Sequence, residues 1–113
     1  MNYMSNGKNC NPDMDWTLLR RYLDGEGRVK VWPGKWKNQQ MVARYMTRGF
    51  TPGVRYSEEQ VNGIIEDLHT FEDYAILRRV LCDLDLLARE SDGSVYWLTE
   101  AGRTQREIFG IES

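Results

Sequence analysis

Residues 57–84 read SEEQVNGIIEDLHTFEDYAILRRVLCDL, and the apolar spacing within them decides the architecture. Val61, Ile64, Ile65 and Leu68 stand at i, i+3, i+4 and i+7, the stripe of an amphipathic helix. In front of them Ser57 and Gln60 have capping-box spacing, in which the hydroxyl accepts from the N3 amide and the N3 side chain reaches back. The pattern then repeats, with Thr70 and Asp73 at the box spacing and Leu77, Val80, Leu81 and Leu84 forming the stripe. Two helices joined by a short turn around His69-Thr70 have helix-turn-helix spacing. With Leu77 pointing inward and a rotation of about 100° per residue, Ala75, Arg78, Arg79 and Cys82 fall on the outer side of the second of these helices.

Downstream, Leu86–Glu90 and Ser94–Leu98 are strand-like runs joined through Ser91-Asp92-Gly93, where Asp92-Gly93 suits the positive backbone angles of a tight hairpin turn. A hairpin directly after a helix pair is a wing. Thr99 can cap a last helix reaching about Phe109, although its apolar pattern, Ala101 and Ile108, is thin. Upstream, Trp36, Val42, Tyr45 and Met46 share a helical face between Lys35 and about Thr47, with Gly49 placed to stop the helix. Arg28 to Trp32 alternates Val29 and Val31 with basic residues as a short strand would, ending at Trp32-Pro33-Gly34. Before it, Asn11-Pro12-Asp13 opens a first helix carrying Met14, Leu18, Leu19 and Tyr22, which ends near Asp24-Gly25. Residues 1–11 read as a flexible leader. The expectation is one α+β domain over residues 12–113, a winged helix-turn-helix. Its second to fourth helices form a tri-helical core, the C-terminal hairpin is the wing, and further helices flank them.

Composition agrees with one compact domain: 113 residues, 41% hydrophobic, with four Trp, six Tyr and three Phe to fill a core without staples. No apolar run approaches the roughly 20 residues of a membrane span, and the N-terminus lacks a signal-peptide pattern, so a cytoplasmic protein is expected. Cys10 and Cys82 have neither metal-type nor disulfide-framework spacing and read as reduced thiols. No metal or cofactor is expected. His69, the single histidine, stands near a helix end without a nucleophile partner and reads as a cap, and no phosphate-cradling glycine loop is present.

Charge is unevenly spread. Between Gly27 and Ser57 there are seven basic residues, Arg28, Lys30, Lys35, Lys37, Arg44, Arg48 and Arg55, and no acid; the remainder has eight basic against seventeen acidic residues. Such a stretch marks either an anion-facing surface or side chains scattered around a helix and its loops. The arginine pair is also open to two roles. Arg78 and Arg79 occupy the place from which a winged helix enters a major groove, where guanidinium groups bond guanine. Alternatively, Arg79 pairs with Asp83 at i+4 and Arg78 reaches an acid of the preceding helix, such as Glu66 or Asp67. Glu72, Asp73, Asp83 and Asp85 beside that helix weigh against deep groove insertion. Trp32, Trp36, Trp97, Tyr45, Tyr56 and Tyr96 are expected to serve the core rather than a ligand platform.

Two resemblances follow from the residues themselves. Tyr96-Trp97-Leu98-Thr99-Glu100-Ala101-Gly102 resembles the Tyr-x-Leu-Thr-x-x-Gly exit from the wing in many winged-helix regulators. More specifically, several quoted runs in order resemble the bacterial family of domain of unknown function 2087. They are Trp32-Pro33 with Lys35, Tyr56-Ser57-Glu58-Glu59-Gln60-Val61-Asn62, Leu77-Arg78-Arg79, Arg89, Asp92-Gly93 and Tyr96. Gln60 stands where that pattern has Glu, an exchange that preserves capping. The resemblance implies a winged-helix-like regulatory role and supplies no catalytic residues. The expected function is therefore a non-catalytic, transcription-regulator-like module binding nucleic acid, most plausibly duplex DNA. Arg78 and Arg79 would face bases or phosphates, and Lys35, Lys37, Arg44 and Arg89 would hold the backbone. The competing expectation is a protein-interaction or homodimerisation domain that does not bind nucleic acid.

Overall fold

The computed structural model describes residues 16–112, so the leader, the Asn11-Pro12-Asp13 start signal, Met14 and Cys10 lie outside the described residues. The fold is mixed α+β. In chain order it contains α1 (Trp16–Arg20), α2 (Trp36–Met46), a 3-10 turn (Thr47–Gly49), α3 (Glu58–Leu68), α4 (Tyr74–Asp83), the strands β1 (Leu87–Arg89) and β2 (Tyr96–Leu98), and α5 (Glu100–Glu112).

The capping box at α3 forms as its spacing requires: Ser57 Oγ accepts from Gln60 N at 3.1 Å and Gln60 Oε1 accepts from Ser57 N at 2.9 Å. Val61 and Ile65 are fully buried, and Ile64 and Leu68 pack against the same core. The second box does not form. Asp73 is itself the N-cap of α4, accepting from Ile76 N at 3.4 Å. Glu72 stands in the left-handed region at φ 57°, and the Asp73 amide donates to His69 Nε2 at 2.9 Å, so the chain reverses later than Thr70 suggested. Because Nε2 accepts that bond, Nδ1 carries the proton and donates to the Ile65 carbonyl at 2.6 Å. His69 thus caps α3 and anchors the start of α4, buried at the joint between them.

From α4, Leu77, Val80 and Leu81 enter the core. The hairpin pairs Leu87 with Leu98, Ala88 with Trp97 and Arg89 with Tyr96. Its loop is wider than a two-residue turn: Glu90 N donates to Val95 O at 2.9 Å and Gly93 N to Glu90 O at 2.9 Å, with only Gly93 (φ 75°) at positive φ. This is the longer hairpin class, built on an ordinary turn followed by a left-handed glycine. A third segment joins the sheet edge, where Tyr56 and Tyr96 exchange backbone hydrogen bonds of 2.8 and 2.7 Å.

The last helix is no appendage. Thr99 Oγ1 accepts from Gly102 N at 2.9 Å, and α5 packs on α2, the 3-10 turn and β2. It buries Phe109 edge-on against Trp16 and Tyr45, with ring centroids 5.3 and 5.5 Å apart. The helical core is therefore built from α2 to α5 rather than from three helices alone. Gly49 also differs from its expected role. It has no positive φ; a Cβ there would meet Leu68 Cδ1 at 2.8 Å, so it permits close approach of α3.

The expected strand over residues 28–32 is reduced to single bridges from Val29 to Leu23 and His69. Val29 is buried, but Val31 is 49% exposed, because no strand holds the alternation. Trp36 is 50% exposed as well: it opens α2, beyond the buried set Met41, Val42, Ala43, Tyr45 and Met46. The first helix has a shorter described span than its pattern, passing after Arg20 into i to i+3 bonds from Arg21, Tyr22 and Leu23.

Two carboxylates, Asp92 exposed and Asp24 half-buried, fix turns and lead to a pH prediction. Asp92 is held below the ordinary carboxylate range, first by the Ser94 hydroxyl and then by the Ser94 amide. Asp24 is likewise lowered, chiefly by the Arg28 amide. A carboxylate depressed in the fold contributes stability above its unfolded value, about 3.9, which is lost as pH falls through the lower folded value. The Ser94 amide resonance is expected to show an acid transition with a midpoint below about 3.9, absent in Asp92→Ala; a midpoint at the unfolded value would contradict the bond.

Candidate functional site

The inward stripe of α4 turns Ala75, Arg78, Arg79 and Cys82 toward the hairpin side. There they meet Arg89, the last residue of β1. With Asp83 and Tyr96 they line one open concavity of about 340 Å³. Three of the six basic residues expected to contact nucleic acid are thereby brought together from two elements.

Each arginine is held differently. Arg78 is only 22% exposed; its Nη1 donates to Asn62 Oδ1 and lies 4.0 Å from Glu58 Oε2, while its guanidinium stands 6.0 Å from the Tyr74 ring centroid. Glu58 is fixed in turn by the Tyr96 hydroxyl, which donates to Oε1 at 3.5 Å. Arg79 is 81% exposed, with Nε 3.7 Å from Asp83 Oδ2, and a pair that open to water constrains the side chain little. Arg89 is exposed and makes no hydrogen bond or ion pair among the described residues; its Nη1 and Glu58 Oε1 both come within 4.0 Å of where a Gly93 Cβ would stand.

The i+4 pair of Arg79 with Asp83 is the one the spacing allowed. The partners of Arg78 are not Glu66 or Asp67 but Asn62 and Glu58, one helical turn apart on α3. Their i, i+4 spacing was the available signal that they share a face. Burial raises the Cys82 thiol above its ordinary range; Arg89 and Arg78 work against that effect and Asp83 adds to it. At neutral pH Cys82 therefore presents a protonated thiol to the concavity.

The basic stretch does not form a single free surface. Arg28 pairs with Asp24 at 3.1 Å and Glu26 at 3.2 Å, and Arg55 with Glu90 at 3.0 Å. Arg55 also lies over the Trp97 ring at 4.9 Å, and Arg48 over Tyr45 at 5.0 Å. Arg44 is half-buried, and its Nη2 donates to Gln40 Oε1 at 3.2 Å. Lys35 and Lys37 are exposed at the start of α2 and do not line the arginine concavity.

A larger concavity, about 570 Å³, is lined by Arg28, Glu66, His69, Thr70, Glu72 and Tyr74. Its arginine is already paired with two acids and both nitrogens of its imidazole are committed to backbone groups. Among the described residues no group of three or more His, Cys, Asp and Glu is arranged to hold a metal, and no helix is long and apolar enough to cross a membrane.

Fold and site together define a small mixed α+β domain whose polar corner is built from α3, α4 and the hairpin. The residues of that corner, Glu58, Asn62, Arg78, Arg89, Gly93 and Tyr96, are among those carrying the resemblance noted in the sequence. The chain belongs to the family described as uncharacterized protein conserved in bacteria (DUF2087), which matches residues 28–98. No curated protein and no solved structure matches it.

Proposed function

We propose that the protein is a non-catalytic winged-helix module of the cytoplasm that binds nucleic acid, duplex DNA above all, as transcription regulators do. Support for the winged-helix assignment comes from element order: a helix (α2), a strand-like pairing at Tyr56, the helix pair α3 and α4, the hairpin β1–β2, then α5. The observation that carries the function is the convergence of Arg78, Arg79 and Arg89 on one open concavity where α4 meets the wing. Arg79 and Arg89 are the exposed cations suited to backbone phosphates. Arg78, held by Asn62 and Glu58, contributes fixed charge rather than base reading. Lys35 and Lys37 are secondary backbone contacts, and Arg44 a lesser one.

Binding of this kind is driven by the backbone and tolerant of sequence, because the carboxylates of Asp83 and Asp85 flank the same helix. Fluorescence anisotropy with a labelled random-sequence duplex tests it. Saturable binding at low salt is expected, with log affinity falling against log salt at a slope of roughly −2 to −3 for two or three engaged phosphates. No binding at low salt, or binding indifferent to salt, contradicts it. One observation favours the competing protein-interaction reading, the exposure of Val31 and Trp36. Under that reading sedimentation would show a dimer and anisotropy no DNA complex.

A further inference from the structure

We propose that the concavity between α4 and the hairpin is a binding site for a single phosphate group, with Arg78, Arg79 and Arg89 supplying its charge and hydrogen bonds. This deepens the nucleic-acid reading and rests on it only for the molecule that carries the phosphate. Three arginines and one aspartate, Asp83, line the space. The lining is therefore formally net positive by two, which matches the charge of about −1.5 to −2 on a phosphate monoester at neutral pH. Glu58 does not line the space; at 4.0 Å from Arg78 Nη1 it offsets part of the Arg78 charge, which leaves the lining between plus one and plus two.

Donor supply agrees with charge. An arginine has five N–H donors in a planar fork, and the Asn62 and Glu58 contacts of Arg78 both involve Nη1, leaving Nε and Nη2 outside them. Arg79 approaches Asp83 through Nε alone, beyond hydrogen-bond distance. Arg89 is uncommitted among the described residues. Arg78 is thus fixed before an anion arrives, which reduces the ordering cost of binding, while the two exposed side chains close on the ligand. The volume, about 340 Å³, stands at the lower end of small-ligand sites and leaves room for the group esterified to the phosphate. The larger concavity, lined in part by Tyr74, offers no such balance, since its one arginine is paired twice and two glutamates share its lining.

Cys82 in the lining supplies the readout. In a Cys10→Ser protein it is the sole thiol, and its alkylation by neutral iodoacetamide reports whether the concavity is filled. Sodium phosphate is expected to slow alkylation several-fold relative to sodium chloride at matched ionic strength. Arg89→Gln, an exposed change whose folding circular dichroism verifies, should shift the protection to about tenfold higher phosphate, the loss of one charge-assisted partner. Equal rates in phosphate and chloride overturn the site, as does protection unchanged in Arg89→Gln. If phosphate protects and also displaces duplex DNA, the phosphate belongs to a polynucleotide. If phosphate and adenosine monophosphate protect while DNA does not bind, the site stands and the nucleic-acid reading alone falls.

Discussion

Replacing Gly102 with alanine is expected to destabilise the protein by about 3 kcal/mol, the upper range for overpacking a tight contact. The first turn of α5 sits directly on the end of α4 and the start of the hairpin. There Thr99 N donates to the Leu86 carbonyl at 3.1 Å, and Thr99 Oγ1 donates to the Asp85 carbonyl at 2.5 Å. A Cβ on Gly102 would stand 2.3 Å from the Leu86 oxygen and 2.7 Å from Leu98 Cδ1. The first is backbone and cannot swing aside, so the helix must lift, loosening Phe109 from Trp16 and Tyr45. For a chain near 100 residues about 3 kcal/mol corresponds to a fall in Tm of roughly 12–24 °C, measurable by thermal circular dichroism. Gly63→Ala is the control. It lies mid-helix in α3 with nothing within 4 Å of the new methyl, and a gain of about 0.5–1 kcal/mol is expected. A Gly102→Ala protein as stable as the parent would show that α5 does not seat on the hairpin.

The second large effect concerns binding. Arg79→Glu with Arg89→Glu reverses two exposed charges at one corner without removing a buried contact, and is expected to weaken DNA binding by about 100-fold or more, tenfold per lost phosphate contact. The salt slope should shrink by about two as well. Lys35→Glu with Lys37→Glu, the same charge change at the start of α2, should cost less than about tenfold. Both double variants are read by anisotropy, with sedimentation to confirm an unchanged oligomeric state. If the lysine pair proves the more damaging, the grip lies on the basic stretch instead.

How far these features are legible in the sequence depends on how local their causes are. The Ser57–Gln60 box, the outward face of Arg78 and Arg79 and the glycine turn at Gly93 need only neighbours within a few residues. The cap of α4 is misplaced although its cause is near in sequence: the His69 ring takes the Asp73 amide, a side-chain contact that no capping-box spacing at Thr70 reveals. Val31 follows the strand alternation on paper and lies outside because the segment around Val29 makes only isolated bridges, whereas Trp36 follows the helical face of α2 and lies outside because it opens that helix ahead of the buried set. The basic stretch counts as one block in a linear tally, yet Asp24, Glu26 and Glu90 dissolve it once folded. The concavity itself combines helix and strand residues with positioning partners sixteen or more residues away, Asn62 and Glu58 for Arg78. Pairwise patterns mark its members; only the tertiary arrangement joins them.

Amide chemical-shift mapping with a short random duplex, added at low salt to isotopically labelled protein, locates the nucleic-acid-binding face. Perturbations are expected to concentrate on α4 from Ala75 to Asp83, on Arg89 and around Gly93. A map centred on Lys30 to Lys37, or one without any perturbed amide, would contradict binding at that corner.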